Sequence, residues 1–471
     1  MKQIKSVYIN GKFETPKGTE AAGIISPLDE TVIASITYAD EHDANRAILA
    51  ANNAFASYRK TSVGERAEYL KAIHDQIIAR IDDLMEATIT EYGASRERAR
   101  WSNLISATTF KNQIGVLEKF EFVRAVNEST VVMEPVGVTA LFTPWNSVAG
   151  SIAVKVASAL AAGCTIVLKP SEQAPRQAEI IMESIHAAGL PAGVVNMVIG
   201  RGDVLSKPIV ESKMIKHISF TGSTLIGKIL AKQAIDSMKR MTLELGGKSA
   251  NILLEDADLS KAIPMALQAA FMNNGQACIA GSRLLVPESK MNVVVELLKS
   301  EAKQFTVGNP NEGDFKMGPL ASKKQYDRIQ EFIQQGIDEG AKLIYGGLGR
   351  PEGIGKGYFV HPTIFVEVTN TMRIAREEIF GPVLSVISYK DEEEAIAIAN
   401  DSDYGLMAYV STNNNEKAQS IAGQLQAGRV LINTLRHDSL APFGGYKNSG
   451  WGRENGVVGM EAFLEIKTMI Q

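Results

Sequence analysis

A chain of 471 residues is too long for one ordinary hydrophobic core and implies two or three domains. Hydrophobic residues make up 45% and charged residues 22%, a balance that excludes a disordered or fibrous protein. A formal net charge of −4 and a pI near 6.0 leave no basic field for nucleic acid or a membrane surface, and two cysteines cannot build a disulfide framework.

The first residues, 1–14, lack the continuous apolar core of a signal peptide, and the two free thiols, Cys164 and Cys278, suit a reducing compartment. A cytoplasmic location is therefore expected. From Glu41 to about Tyr92, apolar and charged residues alternate at helical spacing, which predicts amphipathic helices on a surface. Residues 120–133 have strand character. From about Val136 the pattern changes to short apolar runs, 136–142, 164–168, 194–199 and 215–220, each followed by a helical segment. That alternation predicts a parallel sheet with helices on both faces, a nucleotide-binding architecture. The longest apolar stretch, 151–168, is broken by Lys155 and Gly163, so it reads as a helix, a Gly stop and a strand rather than a membrane span. A second strand-helix series runs from about Gly247 to Asn433, with strands at 283–286, 383–387 and 408–411. The C-terminal 463–470 also alternates. Like 120–133 it would be an exposed edge unless the two pair with each other or with another subunit. No tandem repeat or low-complexity tract is present.

Several short strings carry chemistry. Lys169-Pro170-Ser171-Glu172 follows directly on a predicted strand, where open α/β sheets bind ligands. A Lys and a carboxylate there can hydrogen-bond a ribose diol, and Glu172 would repel a 2′-phosphate, favouring NAD over NADP. The alternative is a plain helix start with Ser171 as cap and Glu172 in the first turn. In Phe220-Thr221-Gly222-Ser223-Thr224, Gly222 permits close backbone approach to a phosphate at a helix N-terminus. Gly222 to Lys228 begins like a P-loop, but Ile229 stands where a nucleotide hydrolase needs Ser or Thr for magnesium. Gly200-Arg201-Gly202 is a weaker loop signal that equally suits a turn.

The remaining strings suit covalent catalysis. Cys278 lies in Gly275-Gln276-Ala277-Cys278-Ile279-Ala280-Gly281, and Glu244 in Leu243-Glu244-Leu245-Gly246-Gly247. A small, Gly-flanked thiol and a carboxylate beside a Gly pair provide a sulfur to hold a substrate and a base to release it. Cys164 starts a predicted strand and reads as an inert buried thiol. With no Cys-x-x-Cys and no histidine pair at i, i+4, no metal site is expected, and no Gly-x-Ser-x-Gly elbow occurs.

Taken together, and in this order along nearly the whole chain, these strings resemble the NAD(P)-dependent aldehyde dehydrogenase superfamily, of the hydrolytic, non-acylating type. The resemblance implies an α/β fold in three parts. These are a Rossmann-like parallel-sheet NAD domain (1–116 and 136–246), an α/β catalytic domain (247–445) and a small β oligomerisation arm (117–135 and 455–471). It implies a homodimer or homotetramer that oxidises a small-molecule aldehyde to a carboxylic acid with NAD. Cys278 would add to the aldehyde to give a thiohemiacetal, and loss of hydride would leave a thioester. Glu244 would activate the water that hydrolyses it. Asn146, in Thr143-Pro144-Trp145-Asn146, and the Cys278 backbone N–H would hold the oxyanion. Lys155 and Glu454 match positions that relay the proton away, or else are exposed surface charges. Cofactor contacts carry over to Trp145, Lys169, Ser171, Glu172, Gly202, Phe220, Gly222, Ser223, Gly227, Leu245 and Gly246. In Glu377-Glu378-Ile379-Phe380-Gly381-Pro382, Glu378 would take the ribose hydroxyls and Phe380 would pack near the nicotinamide. The alternative there is a helix end at a Gly-Pro stop with Phe380 in the core.

Relatives that pass the acyl group to coenzyme A or phosphate typically lack this Glu, so Glu244 favours hydrolysis. A CoA-acylating or semialdehyde-specific dehydrogenase, a non-catalytic NAD-binding relative and a nucleotide hydrolase are the alternatives. The segments matching the substrate tunnel are 147–154, without an aromatic residue, and 434–441. Small side chains there predict a roomy mouth. Arg436, with His437, is a candidate receiver of an anionic tail; otherwise Arg436 faces solvent or pairs with Asp438.

Overall fold

The computed structural model describes residues 2–470. Five parallel strands, Val138–Thr143, Thr165–Pro170, Val195–Val198, Ile215–Thr221 and Arg240–Glu244, form the centre of an eight-stranded sheet. Every residue of Val138–Thr143 and Thr165–Pro170 is buried, which is why these runs are continuously apolar rather than alternating. From Val138–Thr143 the chain steps outward through Thr165–Pro170 and Val195–Val198. It then returns to lay Ile215–Thr221 and Arg240–Glu244 on the other side. Strand order reverses between Val138–Thr143 and Ile215–Thr221, so a crevice opens there at the carboxyl ends. Val7–Ile9 and Lys12–Glu14 extend one edge antiparallel, and Gly450–Trp451 covers the other.

The helix Val148–Ala162 is buried along almost its whole length, so it has no polar stripe and only one charge, Lys155. Gly163 ends it at φ +89°, in the left-handed region, and the chain turns at once into Thr165–Pro170. Helix, Gly stop and strand thus fall where the sequence placed them. No helix among the described residues is long and apolar enough to cross a membrane. The predicted amphipathic helices are Glu41–Tyr58, Val63–Ala79 and Ile81–Tyr92. Asp40 and Ser62 start the first two with reciprocal capping boxes, and Ala44, Ala47, Ile48 and Ala51 bury one face. Arg96–Lys119 follows and packs against Val148–Ala162.

A second sheet has seven strands, in the order Lys342–Tyr345, Thr363–Val366, Val383–Tyr389, Arg283–Pro287, Ala250–Leu253, Met407–Ser411 and Arg429–Ile432. All neighbours are parallel except the edge strand Lys342–Tyr345. The segments read as possible edges pair with each other. Val123–Val126 and Ser129–Pro135 form a hairpin, and Leu464–Ile470 runs antiparallel along the whole of Ser129–Pro135.

Candidate active site

Three elements bring the thiol, the carboxylate and the amide together. Glu244 ends the strand Arg240–Glu244, and the Gly pair after it leads into the second sheet. Cys278 follows the helix Leu259–Phe271 and the turn Met272–Gly275. Asn146 sits between Val138–Thr143 and the buried helix Val148–Ala162. All three line one cavity of about 660 Å³, a size suited to a small organic molecule. Its walls include Trp101, Phe271, Phe305 and Phe443, so aromatic surface comes from elements other than the 147–154 segment.

The thiol loop is held by buried amides. Asn273 and Asn274 adopt φ of 55° and 57°, which Asn tolerates better than most side chains. The Asn274 amide donates to the carbonyls of Gly93 (3.2 Å) and Pro319 (2.9 Å), and its oxygen accepts the Gly318 N–H (2.9 Å). Gln276 donates to the Tyr92 hydroxyl and accepts the Ala321 N–H. Gly275, at φ +70°, lies so close to the Gly381–Pro382 backbone that a Cβ would collide with it. Asn273 Nδ2 donates to the carbonyls of Asn146 (3.0 Å) and Gln276 (3.1 Å). Asn146 Nδ2 also donates to the Gln276 carbonyl (2.9 Å), which moors the amide two residues from Cys278 and leaves its second N–H for another acceptor. Sequence reasoning did not single out Asn273, Asn274, Gln276 or Tyr92. The consecutive Asn-Asn-Gly was the available signal, a run suited to left-handed turn conformations.

Electrostatics set the resting state. Glu244 is 3% exposed, and neither carboxylate oxygen has a hydrogen-bond partner. Burial, with the Glu454 carboxylate nearby, pushes its pKa well above the usual carboxylate range. Burial, followed by the carboxylates of Glu378 and Glu244, pushes the Cys278 thiol up to about 12. The resting thiol is therefore protonated. Lys155 is not an exposed surface charge: its Nζ is buried and donates to Ser219 Oγ (2.7 Å) and to Glu454. Glu454 is likewise paired and lines the cavity, and Ser219 Oγ also donates to it (3.3 Å). The surface alternative is set aside for both.

The crevice at the sheet's carboxyl edge holds the other strings. Lys169 Nζ pairs with Glu172 (2.9 Å) and donates to the Pro170 carbonyl. The next helix starts only at Pro175 with Ala174 at its cap, so Ser171 and Glu172 are not a plain helix start. Ser171 Oγ accepts the Gln173 N–H instead (3.3 Å). Gly222 stands against the Phe220 ring and Gly227 against the Leu245 side chain, so a Cβ at either would have to displace its neighbour. Ser223 caps the helix Thr224–Ala234, directing free N–H groups into the crevice. Leu245 N–H bonds the Ser449 carbonyl, and Ser449 Oγ bonds that of Gly246. Glu378 Oε1 accepts the Gly247 N–H (3.0 Å), and burial raises its pKa to about 7. Phe380, at φ +63°, is half-buried and stands edge-on to Trp145 with centroids 5.4 Å apart, rather than in the core. Gly202 opens the helix Gly202–Glu211 at the same sheet edge, with open space where a Cβ would stand. A carboxylate–lysine pair, a helix N-terminus opened by glycines, the half-buried Glu378 carboxylate and the Trp145–Phe380 ring pair fit a dinucleotide.

Arg436 is exposed, does not line the cavity and makes no ion pair with Asp438, which instead accepts the N–H groups of Leu440 and Ala441. His437 does line the cavity, as do two cations that sequence reasoning passed over, Arg98 and Lys316.

Comparison with known proteins agrees with this geometry. The profile of the aldehyde dehydrogenase family matches residues 13–469. A 3-succinoylsemialdehyde-pyridine dehydrogenase from a Pseudomonas species is 44% identical over 472 residues, covering 100% of this chain and 99% of that protein. Aldehyde dehydrogenase C from Pseudomonas syringae, solved as a cysteine-to-alanine mutant with NAD+ and octanal, superposes with a TM-score of 0.98 at 42% identity. The match covers 99% of this chain and 96% of that one. Betaine aldehyde dehydrogenase from Staphylococcus aureus, solved with NAD+, gives a TM-score of 0.96 at 34% identity over 99% of this chain and 94% of that one. The chain belongs to the aldehyde dehydrogenase family. Its activity is NAD-dependent oxidation of an aldehyde.

Proposed function

We propose that Cys278 is the nucleophile, that Asn146 Nδ2 and the Cys278 N–H hold the oxyanion, and that Glu244 is the general base of hydrolysis. The observation that carries this reading is the convergence of all three on one cavity, with the Glu244 carboxylate buried and unpartnered. As sulfur attacks the aldehyde carbon, the thiol proton passes to the ionised form of Glu244, which gives it up to the Glu454–Lys155 pair before hydrolysis, and the carbonyl oxygen becomes an alkoxide facing the free N–H of Asn146. NAD, when bound, supplies the hydride acceptor. Collapse of the alkoxide leaves a thioester on Cys278. Glu244, with a raised affinity for protons, takes one from water as that water attacks the thioester, and the carbon–sulfur bond breaks. Glu454, partly exposed, and the buried Lys155 form a pair through which that proton leaves.

Lys169, Ser171 and Glu172 would hold the adenosine ribose, and Phe220, Gly222, Ser223 and Gly227 the pyrophosphate. Trp145, Leu245, Gly246, Glu378 and Phe380 would enclose the nicotinamide end, with Gly202 at the margin of the crevice. The carboxylate of Glu172 favours NAD over NADP. Glu244 also speaks for hydrolysis over transfer to coenzyme A.

The domain reading is residues 1–116 and 136–246 for the cofactor, 247–445 for catalysis, and 117–135 with 455–471 as an assembly arm. Met1 and Gln471 lie outside the described residues. Homo-oligomerisation, as a dimer or tetramer, is supported by the outer strand Leu464–Ile470, where Ile466 is 59% and Ile470 80% exposed. A cytoplasmic location agrees with a chemistry that needs a reduced thiol.

The test is NADH formation with NAD or NADP and a panel of aliphatic, aromatic and acidic aldehydes, run beside Cys278→Ala. Turnover that prefers NAD and vanishes in the variant is expected. Activity surviving loss of Cys278 would sink the covalent mechanism.

A further inference from the structure

Arg98 is the third residue of the helix Arg96–Lys119, and Ser95 Oγ fixes its backbone by accepting its N–H (3.3 Å). Its side chain turns inward to the substrate cavity. The guanidinium lies over the Trp101 ring, 4.6 Å from the centroid, and Nε donates to Asn273 Oδ1 (3.3 Å). Its two terminal nitrogens make no hydrogen bond, and no carboxylate pairs with it among the described residues. Arg283, a fully buried arginine, shows what a structural role requires. Its nitrogens reach the carbonyls of Lys248, Ile398 and Ala399 and the Asn370 side chain, so none is left over. Arg98 is half-buried, and its free edge faces the cavity, open to an acceptor that enters it.

The charges around it do not complete it. Glu97 faces Lys316 at 3.5 Å, and Glu454 is held by Lys155 and Ser219. His437 adds a further nitrogen to the lining, and Lys316 a further positive charge. Arg98 is also near the chemistry. Asn273, which its Nε engages, holds the Asn146 carbonyl, so one hydrogen-bonded residue separates the free guanidinium edge from the oxyanion amide. A group gripped there and an aldehyde carbon at Cys278 belong to one short molecule. A planar, bidentate donor on an aromatic shelf is matched by a carboxylate.

We propose that Arg98 determines substrate specificity by binding a carboxylate a few carbons from the aldehyde, so that the preferred substrates are short ω-oxo acids. This rests on the aldehyde-oxidising reading of the same cavity and names its substrate class.

The decisive comparison is the ratio of kcat/KM for 4-oxobutanoate and 5-oxopentanoate to that for butanal and pentanal. It is measured in wild type, Arg98→Gln and Arg98→Lys. Wild type favours the acids. In Arg98→Gln the ratio falls about ten- to hundredfold, the value of a lost charge-assisted contact, and Arg98→Lys restores part of it. A purely structural role through Asn273 would lower both numerators and denominators and leave the ratio unchanged, and that result overturns the proposal. So does wild-type preference for the neutral aldehydes. A binding measurement separates this from failure of the catalytic reading. Succinate and glutarate, with NAD absent, should quench Trp101 fluorescence saturably in wild type and not in Arg98→Gln. Equal quenching in both, or none in wild type, overturns the proposal even in an enzyme that turns over no aldehyde.

Discussion

Cys278 and Glu244 are each built to be inactive at rest. Burial and the carboxylates of Glu378 and Glu244 hold the thiol up at about 12, so alkylation of the cofactor-free enzyme by iodoacetamide should keep accelerating beyond pH 10. A plateau near pH 8.5, about the ordinary cysteine value, would contradict this. Glu244 has a stability consequence of definite sign. Its folded pKa lies above its unfolded one, so folding favours the protonated acid, and stability falls as pH rises from the ordinary carboxylate range towards the folded value. Glu244→Gln should therefore melt higher than wild type at pH 8 and show no such gain at pH 4, by calorimetry. Both residues were legible in the sequence, Cys278 as a thiol in a small, Gly-flanked loop and Glu244 as a charge between two leucines beside a Gly pair. Arg98 was not. Within Arg96-Glu97-Arg98-Ala99-Arg100 it reads as one member of a solvated charge run, and only helix phase, which turns Arg98 inward and leaves Arg96 and Arg100 exposed, sets it apart.

On the proposed mechanism, the thiol loop is the element on which catalysis depends most. It is irregular backbone between Leu259–Phe271 and Arg283–Pro287, kept in one shape by Asn273, Asn274 and Gln276. Asn274→Ala removes three buried hydrogen bonds and strains a left-handed residue, which should cost about 2–4 kcal/mol in denaturant unfolding. A loss under about 0.5 kcal/mol, the scale of a surface substitution, would mean the clamp holds nothing. Sequence patterns located the strands and helices on either side of this loop, since burial on both faces or one face dictates continuous or periodic apolar runs. They could not show which distant carbonyls, Gly93 and Pro319 among them, the loop amides would reach. That information lies in packing between elements far apart in the chain. The same holds for the Lys169–Glu172 string, where a local helix-start pattern was equally natural and only the late start at Pro175 decides.

At the scale of the whole molecule, the Glu244–Gly247 passage joins the two large sheets, and the proposed catalytic trio, Cys278, Glu244 and Asn146, lines one cavity. The arm strand Leu464–Ile470 has its inner edge paired and its outer side exposed. Ile466→Glu with Ile470→Glu should yield smaller particles in sedimentation velocity than wild type, and an unchanged assembly would remove the arm from the interface. The division of labour at the central site is tested most directly by rapid mixing of Glu244→Gln with NAD and a turned-over aldehyde. The mechanism predicts a burst of about one NADH per active site, since Cys278 still acylates, and then turnover about 10²- to 10⁴-fold below wild type, the usual contribution of a general base. The Cys278 peptide should carry the acyl mass. Wild-type steady-state turnover in this variant, or no burst and no adduct on Cys278, would contradict the assignment of Glu244 to thioester hydrolysis.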